Sequence, residues 1–559
     1  MNKLLVIGLD GAPYPLIKKW SGEGLLPNLA KLIENGCFGV LNSTMPVHSP
    51  TAWSSFLTGM NPGQHGVFDF VRRESDSYRL RVIRANQIPQ PSLWRIMSHQ
   101  QRQVGVINVP MTYPPEPVNG FLITGLGTPD YTTYTYPPEL SDELNEQGYR
   151  VNKKFFYDPE RVDEWLQDMH EVTEIHGRTA VDLMKKKPWD FFMVVFRNTD
   201  EICHFFWRHM DETHPSYRPD EPDKYKHAIL HLYQLADKWV GEIVEAAGPH
   251  TNVVIMSDHG AGPLYKDVFL NEWLWKHDWL KFTDESSGRR HFNAAVRRFG
   301  ITRQNISDAL TRMHLHRIEV LIKRMLGDKI LVLPRDERPE FFNAVDWSKT
   351  KIYSFGYYGQ IFINLKGREP KGIIDSDSAY LALRNEVIKK LYELVDPADG
   401  QPVVDKVYTR EDLYHGENLS YAPDLLVVMR EHTYITRKGY EFADKRGEIF
   451  REPYTGETGS HRPEGILIAA GPDIPRNKSI VEKKIEDLAP TLLYLLQCDI
   501  PKTMDGQLIT DIIDSQLLNE QTPCYTDVPT PLREDIDTIW DEAAEEEIAE
   551  RLKKLGYLG

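Results

Sequence analysis

KLLVIGLDG, residues 3–11, is the stretch that decides the fold class: an unbroken apolar run that ends in an aspartate and a glycine. Strict alternation of apolar and polar residues would mark a strand with one wet face, whereas a continuous apolar run marks a strand buried on both. The same pattern recurs, with helical stretches between, in QVGVINVP (103–110), GFLITGLG (120–127), DFFMVVFRNTD (190–200), TNVVIMSDHG (251–260), DLLVVM (424–429) and GILIAAGP (465–472). These runs predict an α/β fold: a mostly parallel sheet sandwiched between helices. In such sheets ligands collect outside the carboxyl ends of the strands. Asp10, Asp200, Asp258 and His259 fall at or just after such ends, which groups them.

Composition narrows the class of function. The chain has 559 residues, 41% hydrophobic, 26% charged and 11% aromatic, an ordinary globular balance that excludes disordered, collagenous and disulfide-scaffold proteins. With 66 Lys plus Arg against 82 Asp plus Glu, the net charge of −16 disfavours nucleic acid polymers and anionic membranes as partners. An anionic substrate would need a local positive field, and a bound metal provides one most directly. Cys37, Cys203, Cys498 and Cys524 form no CxxC pair, so neither a disulfide framework nor a cysteine zinc site is expected. The apolar run Leu4 to Leu9 is too short for a signal core or a membrane span, and no run of about 20 apolar residues follows. A cytoplasmic protein without a membrane span is expected.

Between about Tyr265 and Ile352 the strand pattern lapses and the chain turns locally basic, with arginines at 289, 290, 297, 298, 303, 312, 317 and 324. Ile318, Leu321, Ile322 and Met325 keep the spacing of an amphipathic helix. The expectation is a helical insertion over 265–352, either a cap or a solvated helix pair, in a catalytic body of 1–264 and 353–515. Residues 516–559 read as an acidic helical tail, with Ile548, Leu552 and Leu555 on one face and Gly556 as its cap.

Candidate chemistry gathers at the strand ends. Asp200 and His204 are four apart in DEICH, so one helical turn presents carboxylate and imidazole together. Asp258 and His259 follow VVIMS, Asp10 follows VIGL, and His461 sits in GETGSHRPEG just before a strand. Three carboxylates and three imidazoles suit two divalent ions such as zinc or manganese. The second element is MPVHSPTAWSSFLTGMNPGQHGVFDF (45–70). Ser49 before Pro50 reads as a helix start with its hydroxyl at the N-cap, facing the positive end of the helix dipole. That setting favours either a simple cap or, beside a metal, a nucleophile.

These pieces together resemble the alkaline phosphatase superfamily, in the branch of type I phosphodiesterase/nucleotide pyrophosphatase-like proteins. The matching segments, in the family's order, are VIGLDG, SPTAWSSFLTGMNPGQHGVFDF, NTDEICHFFW, SDHGAGP, GSHRPEGILIAAGPDI and EDLAPTLLYLLQCDIPKTMDG; NVPMTYPPEPVNGFLITGL and YGQIFINLKGREPKGII resemble segments of bacterial and archaeal relatives. The resemblance runs over about residues 3–510. It implies an alkaline-phosphatase-like fold and two metal sites: Asp200, His204 and His461 on one ion, and Asp10, Asp258 and His259 on the other, bridged by the nucleophile. The family's T-x-P block places the nucleophile at Ser49, with Thr51 where the proline would stand and as the alternative hydroxyl. The asparagine that helps nucleotide pyrophosphatases hold phosphate falls on Phe70. No C-x-P-x-R block of a sulfatase occurs.

The resulting expectation is a metal-dependent phosphate-ester hydrolase acting on small phosphodiesters. A phosphomonoesterase, phosphonate hydrolase or phosphomutase on the same centre is the alternative. A non-catalytic binding protein, which would be expected to have lost ligands, is a third reading.

Overall fold

Side-chain alternation along the strand Lys3–Leu9 feeds two separate cores. Leu4 and Val6 pack into one, and Leu5, Ile7 and Leu9 into the other. Each buried aliphatic contributes about 1.5–3 kcal/mol, so a strand apolar at every position is stable only between two covered faces. In the computed structural model, which describes residues 3–74, 77–78, 80–129, 132–283, 345–436, 448–453, 456–527, 530 and 542–554, this strand is central.

Among the described residues the main sheet has nine strands. Their order is Lys478–Lys484, Gly36–Asn42, Glu464–Ala470, Thr251–Met256, Lys3–Leu9, Phe191–Phe196, Val104–Val109, Gly120–Thr124 and Thr135–Tyr136. The five from Thr251–Met256 to Gly120–Thr124 run parallel, whereas Glu464–Ala470 runs against both neighbours and Thr135–Tyr136 against its one. The sheet is therefore mostly parallel and flanked by helices, as the apolar runs predict. Val162–Lys186 and Ala228–Ala247 cover the Leu5 face through Trp165, Met169, Leu232 and Val240. Ser49–Thr58 and Leu488–Leu495 cover the other through Trp53, Phe56, Leu488 and Leu492.

One strand departs from expectation. Leu425–Met429, from DLLVVM, joins a second, antiparallel four-stranded sheet with Ile352–Ser354, Gln360–Ile363 and Val404–Thr409. Its core includes Trp273, Trp279, Trp347, Val387 and Leu391, the last two from the helix Ser378–Tyr392. An apolar run reports burial and not which sheet buries it. An ion pair ties this region to the short strand Val71–Arg73, with Arg73 meeting Glu369 at 2.8 Å, and beside it Arg368 meets the buried Asp424 at 2.6 Å. Burial pushes the Asp424 carboxyl up, but the Arg368 guanidinium outweighs it and holds the pKa below the ordinary value.

Of the segment 265–352, the start forms a strand, Lys266–Val268, and a helix, Leu270–Lys276. The arginine run and the Ile318–Met325 spacing lie outside the described residues. In the tail, the helix Glu542–Lys554 buries Ile548 and Leu552 against the body; Leu555 and Gly556 lie outside the described residues. No described helix is long and apolar enough to cross a membrane.

Candidate metal centre

Strand order assembles the centre. Thr251–Met256, Lys3–Leu9 and Phe191–Phe196 are adjacent and parallel, with Leu9 beside Phe196 and Gly8 beside Met256. Neighbouring strands lie about 4.8 Å apart, so whatever follows their carboxyl ends converges. Asp10 directly follows the strand Lys3–Leu9, Asp258 and His259 come just after Met256, and Asp200 lies in the first turn of the helix Asn198–Met210. His461 arrives from a different direction, on the short strand Gly459–Arg462, paired antiparallel to Gly260–Pro263 with His461 opposite Ala261. Gly11, at φ +66°, makes the turn after Asp10 and donates its N–H to Asp258 Oδ1 at 3.2 Å.

The helical spacing Asp200/His204 brings Asp200 Oδ2 to 3.3 Å from His204 Nε2, and Asp200 Oδ1 stands 3.6 Å from His461 Nε2. His259 Nε2 lies 3.2 Å from Asp258 Oδ2 and 3.9 Å from Asp10 Oδ1. The rings of His259 and His461 stack at 3.7 Å, so the two groups share one pocket. All six sequence-predicted carboxylates and imidazoles therefore come together, with Ser49. Apart from half-buried His204, these residues are at most 2% exposed.

The imidazoles are oriented alike. His204 Nδ1 faces the Gly459 carbonyl at 3.2 Å, His259 Nδ1 that of Gly260 at 2.9 Å, and His461 Nδ1 that of Val47 at 2.9 Å. A carbonyl only accepts, so each ring carries a proton on Nδ1 and turns Nε2 inward. His204 Nε2 and His461 Nε2 face each other at 3.0 Å, a contact that needs a proton or a cation between the two nitrogens. Asp10 Oδ1 and Asp258 Oδ2 are buried with no hydrogen-bond partner among the described residues. Burial raises the pKa of both carboxyls; Asp258 and Asp200 push Asp10 further, and Asp200 pushes Asp258 against the pull of His259. Asp200 is held low because His204 and His461 outweigh its burial, and His461 is pulled well below its ordinary value by burial and by His259. Asp200, His259 and His461, and separately Asp10, Asp258 and His259, place ligand atoms within 4.8 Å of one another. The donor set fits divalent ions: oriented imidazoles and dry carboxylates whose charge only a cation offsets.

Ser49 differs from its expected position by one residue. It is the first residue of the helix Ser49–Thr58, and the N-cap is His48, whose backbone carbonyl accepts from Thr51 and Ala52. The Ser49 hydroxyl does not cap the helix; it lies within hydrogen-bonding distance of His259 Nε2, at 3.1 Å. Thr51 is fully buried, and its Oγ1 has no hydrogen-bond partner among the described residues. Phe70 is buried, edge-on at 5.2 Å to the ring of His48, the residue before Ser49.

Four neighbours are absent from the sequence-predicted set. Trp53 donates its indole N–H to Asp10 Oδ2 at 3.2 Å, and its position four residues after Ser49 was the available signal. His48 sits among Phe70, Tyr357 and Tyr358, and Tyr358 stacks on His461 at 5.3 Å. The two tyrosines come from the turn between Ile352–Ser354 and Gln360–Ile363, with Tyr358 in the left-handed region at φ +62°. No periodicity announces such a turn.

The sequence profile of the type I phosphodiesterase / nucleotide pyrophosphatase family matches residues 4–448. The chain belongs to that family and is a hydrolase of phosphodiester or pyrophosphate bonds, metal-dependent as a class. Among solved structures it is similar to human ectonucleotide pyrophosphatase/phosphodiesterase 5, at 12% identity and TM-score 0.47, covering 92% of this chain and 100% of that one. A murine ectonucleotide pyrophosphatase/phosphodiesterase 5, in an inactive form in complex with AMP, gives 12% identity and TM-score 0.48, covering 89% and 96%. No curated protein matches in sequence.

Proposed function

We propose that this chain cleaves small phosphodiesters through a two-metal centre with Ser49 as nucleophile. Asp200, His204 and His461 would hold one ion and Asp10, Asp258 and His259 the other, with Ser49 beside the second. When bound, zinc or manganese ions supply Lewis-acid stabilisation of phosphoryl charge and lower the pKa of a nearby hydroxyl. The observation that carries this reading is the shared orientation of three histidines, each with Nδ1 on a backbone carbonyl and Nε2 turned toward buried carboxylates.

Ser49 Oγ, on giving up its proton, attacks phosphorus and displaces one alcohol, which leaves carrying a proton; the serine-bound phosphoryl group keeps the second ester arm until water hydrolyses it, releasing the phosphomonoester and restoring the hydroxyl. The attacking oxygen stands at the positive end of the helix Ser49–Thr58, which favours the phosphoryl oxygens it draws in. Burial of Ser49 and its partners excludes bulk water and strengthens each electrostatic contact. Phe70, Tyr357 and Tyr358 ring His48 next to the nucleophile. An aromatic wall gains by covering an organic ester group and gives no hydrogen bond to a dianionic monoester oxygen. It supports diesters with aryl or alkyl groups over monoesters, with nucleotide diphosphate bonds as secondary substrates. The four unpaired cysteines support a reducing compartment such as the cytoplasm.

Elemental analysis combined with a metal-reconstituted kinetic screen tests the reading. Two ions per chain and a higher kcat/KM for phosphodiesters than for matched monoesters, phosphonates and sulfate esters are expected. A monoester preference would move the chain to the phosphatase reading, and no bound metal would remove the centre altogether.

A further inference from the structure

A groove of about 500 Å³ has four arginines in its lining, Arg72, Arg73, Arg81 and Arg84, together with the carboxylates Glu74 and Glu545. In a chain of net charge −16 this concentration of guanidinium groups stands out, and its charges are not all internally matched. Arg73 pairs with Glu369 at 2.8 Å, and Arg81 pairs with Glu74 at 2.7 Å and with Glu545 of the helix Glu542–Lys554 at 3.0 Å. Arg72 has no such partner: among the described residues no carboxylate pairs with it, and its guanidinium lies over the ring of Tyr421 at 4.5 Å. Stacking fixes the plane of the fork while leaving its N–H edge available, the arrangement in which arginine takes a phosphate or carboxylate bidentately.

The groove is linked to the candidate centre through chain neighbours of the aromatic wall. A smaller cavity shares Arg72, Arg73 and Tyr421 with it and is lined further in by Phe68, Asp69 and Gln360. Phe70, next to Asp69 and two residues before Arg72, is the ring that abuts His48 beside Ser49. Two residues of chain span at most about 7 Å, so the backbone of Arg72 lies within that distance of Phe70, and a substrate arm leaving the centre past this segment has the Arg72 guanidinium within reach.

We propose that this groove binds an anionic group at the far end of the substrate's second ester arm, so that the preferred substrate is a phosphodiester carrying a distal phosphate or carboxylate. The proposal rests on the phosphodiesterase reading above and adds the chemistry of the arm. Arg72 is the primary contact, and Arg84 lies on the same wall; Glu545 competes from the tail helix by holding Arg81.

The test uses two p-nitrophenyl phosphodiesters with arms of equal length, one ending in a methyl group and one in a phosphate, on the metal-loaded full chain. The phosphate-ended diester should show a kcat/KM at least tenfold higher, through KM, and rising salt should erode that advantage. Arg72→Ala should collapse the ratio toward one, and Glu545→Gln should raise it. Equal kcat/KM for the two diesters, or a ratio untouched by Arg72→Ala, overturns the proposal. If neither diester turns over, the catalytic reading falls and the groove is judged separately by calorimetric titration of phenyl phosphate into the metal-free chain. Affinity about tenfold weaker in Arg72→Ala then supports the site, and equal affinity overturns it. An effect of free inorganic phosphate on turnover of the methyl-ended diester that Arg72→Ala removes would make the groove a site for a free anion and overturn its assignment to the substrate arm.

Discussion

Replacing Gly11 by alanine probes the assembly of the centre at its tightest point. A Cβ there would lie 2.6 Å from Asp200 Oδ1, 2.8 Å from Asp200 Cβ and 2.9 Å from Asp200 Cα, with φ at +66°. Carbon atoms in contact prefer about 3.5–4.0 Å, and Cα cannot rotate away as a carboxylate can. The start of the helix Asn198–Met210 must therefore retreat by roughly 0.6–1 Å. Left-handed backbone costs about 1–2 kcal/mol and overpacking about 1–3 kcal/mol, so the metal-free chain should lose about 2–5 kcal/mol. Because the Gly11 N–H also holds Asp258, displacement reaches both proposed sites, and zinc affinity should fall at least about tenfold. Gly24→Ala is the control: φ is +74° and nothing lies within 4 Å of the added Cβ. It should cost only the backbone strain of about 1–2 kcal/mol and leave zinc binding unchanged. Urea unfolding of metal-free protein and zinc titration measure both quantities. If Gly11→Ala matches Gly24→Ala in stability and binds zinc like the parent chain, the contact with Asp200 does not organise the centre and the reasoning is refuted.

Asp258→Asn and His461→Ala should each abolish metal-dependent hydrolysis with circular dichroism unchanged; full activity in either removes the two-metal assignment. Ser49→Ala should cut turnover on the order of a thousandfold or more, whereas Thr51→Ala should cost about 1 kcal/mol in stability; the reverse pattern would make Thr51 the nucleophile. His65 lies buried with Nε2 on Ser55 Oγ and Nδ1 accepting from the Val67 N–H, and burial lowers its pKa from the ordinary 6.5 to about 3 against a weak opposing pull from Asp505. Its neutral form is the folded form, so its contribution is complete above pH 6.5 and is lost as pH falls toward 3, on the order of a few kcal/mol. Urea midpoints across that window should decline with acid, and His65→Gln should flatten the decline; an equal slope would assign the acid sensitivity elsewhere.

The aspartates and histidines of the centre could be read from the chain because each lies at a signal that is local. Asp10, Asp258 and His259 follow apolar runs, Asp200 and His204 keep the four-residue spacing of a helix, and the runs themselves carry the period that makes strands buried on both faces. Trp53 was legible in principle by the same helical spacing from Ser49. The one-residue offset at the helix start was not, because Ser-Pro begins a helix equally well with serine as cap or as first residue.

The sequence alone determined the α/β class, the mostly parallel sheet and the identity of the clustered carboxylates and imidazoles, because periodicity and strand ends are properties of neighbouring residues. Only the tertiary structure decided that Thr251–Met256, Lys3–Leu9 and Phe191–Phe196 are neighbours, since strand order depends on which surfaces pack and leaves no local trace. It alone assigned Leu425–Met429 to a second sheet, because burial of an apolar run looks the same whichever sheet supplies it. It alone brought Tyr357 and Tyr358 over His48 and left Arg72 stacked on Tyr421, contacts between segments some 300 or more residues apart. Such contacts form only once both cores have closed, and nothing in the spacing of residues along a chain encodes them.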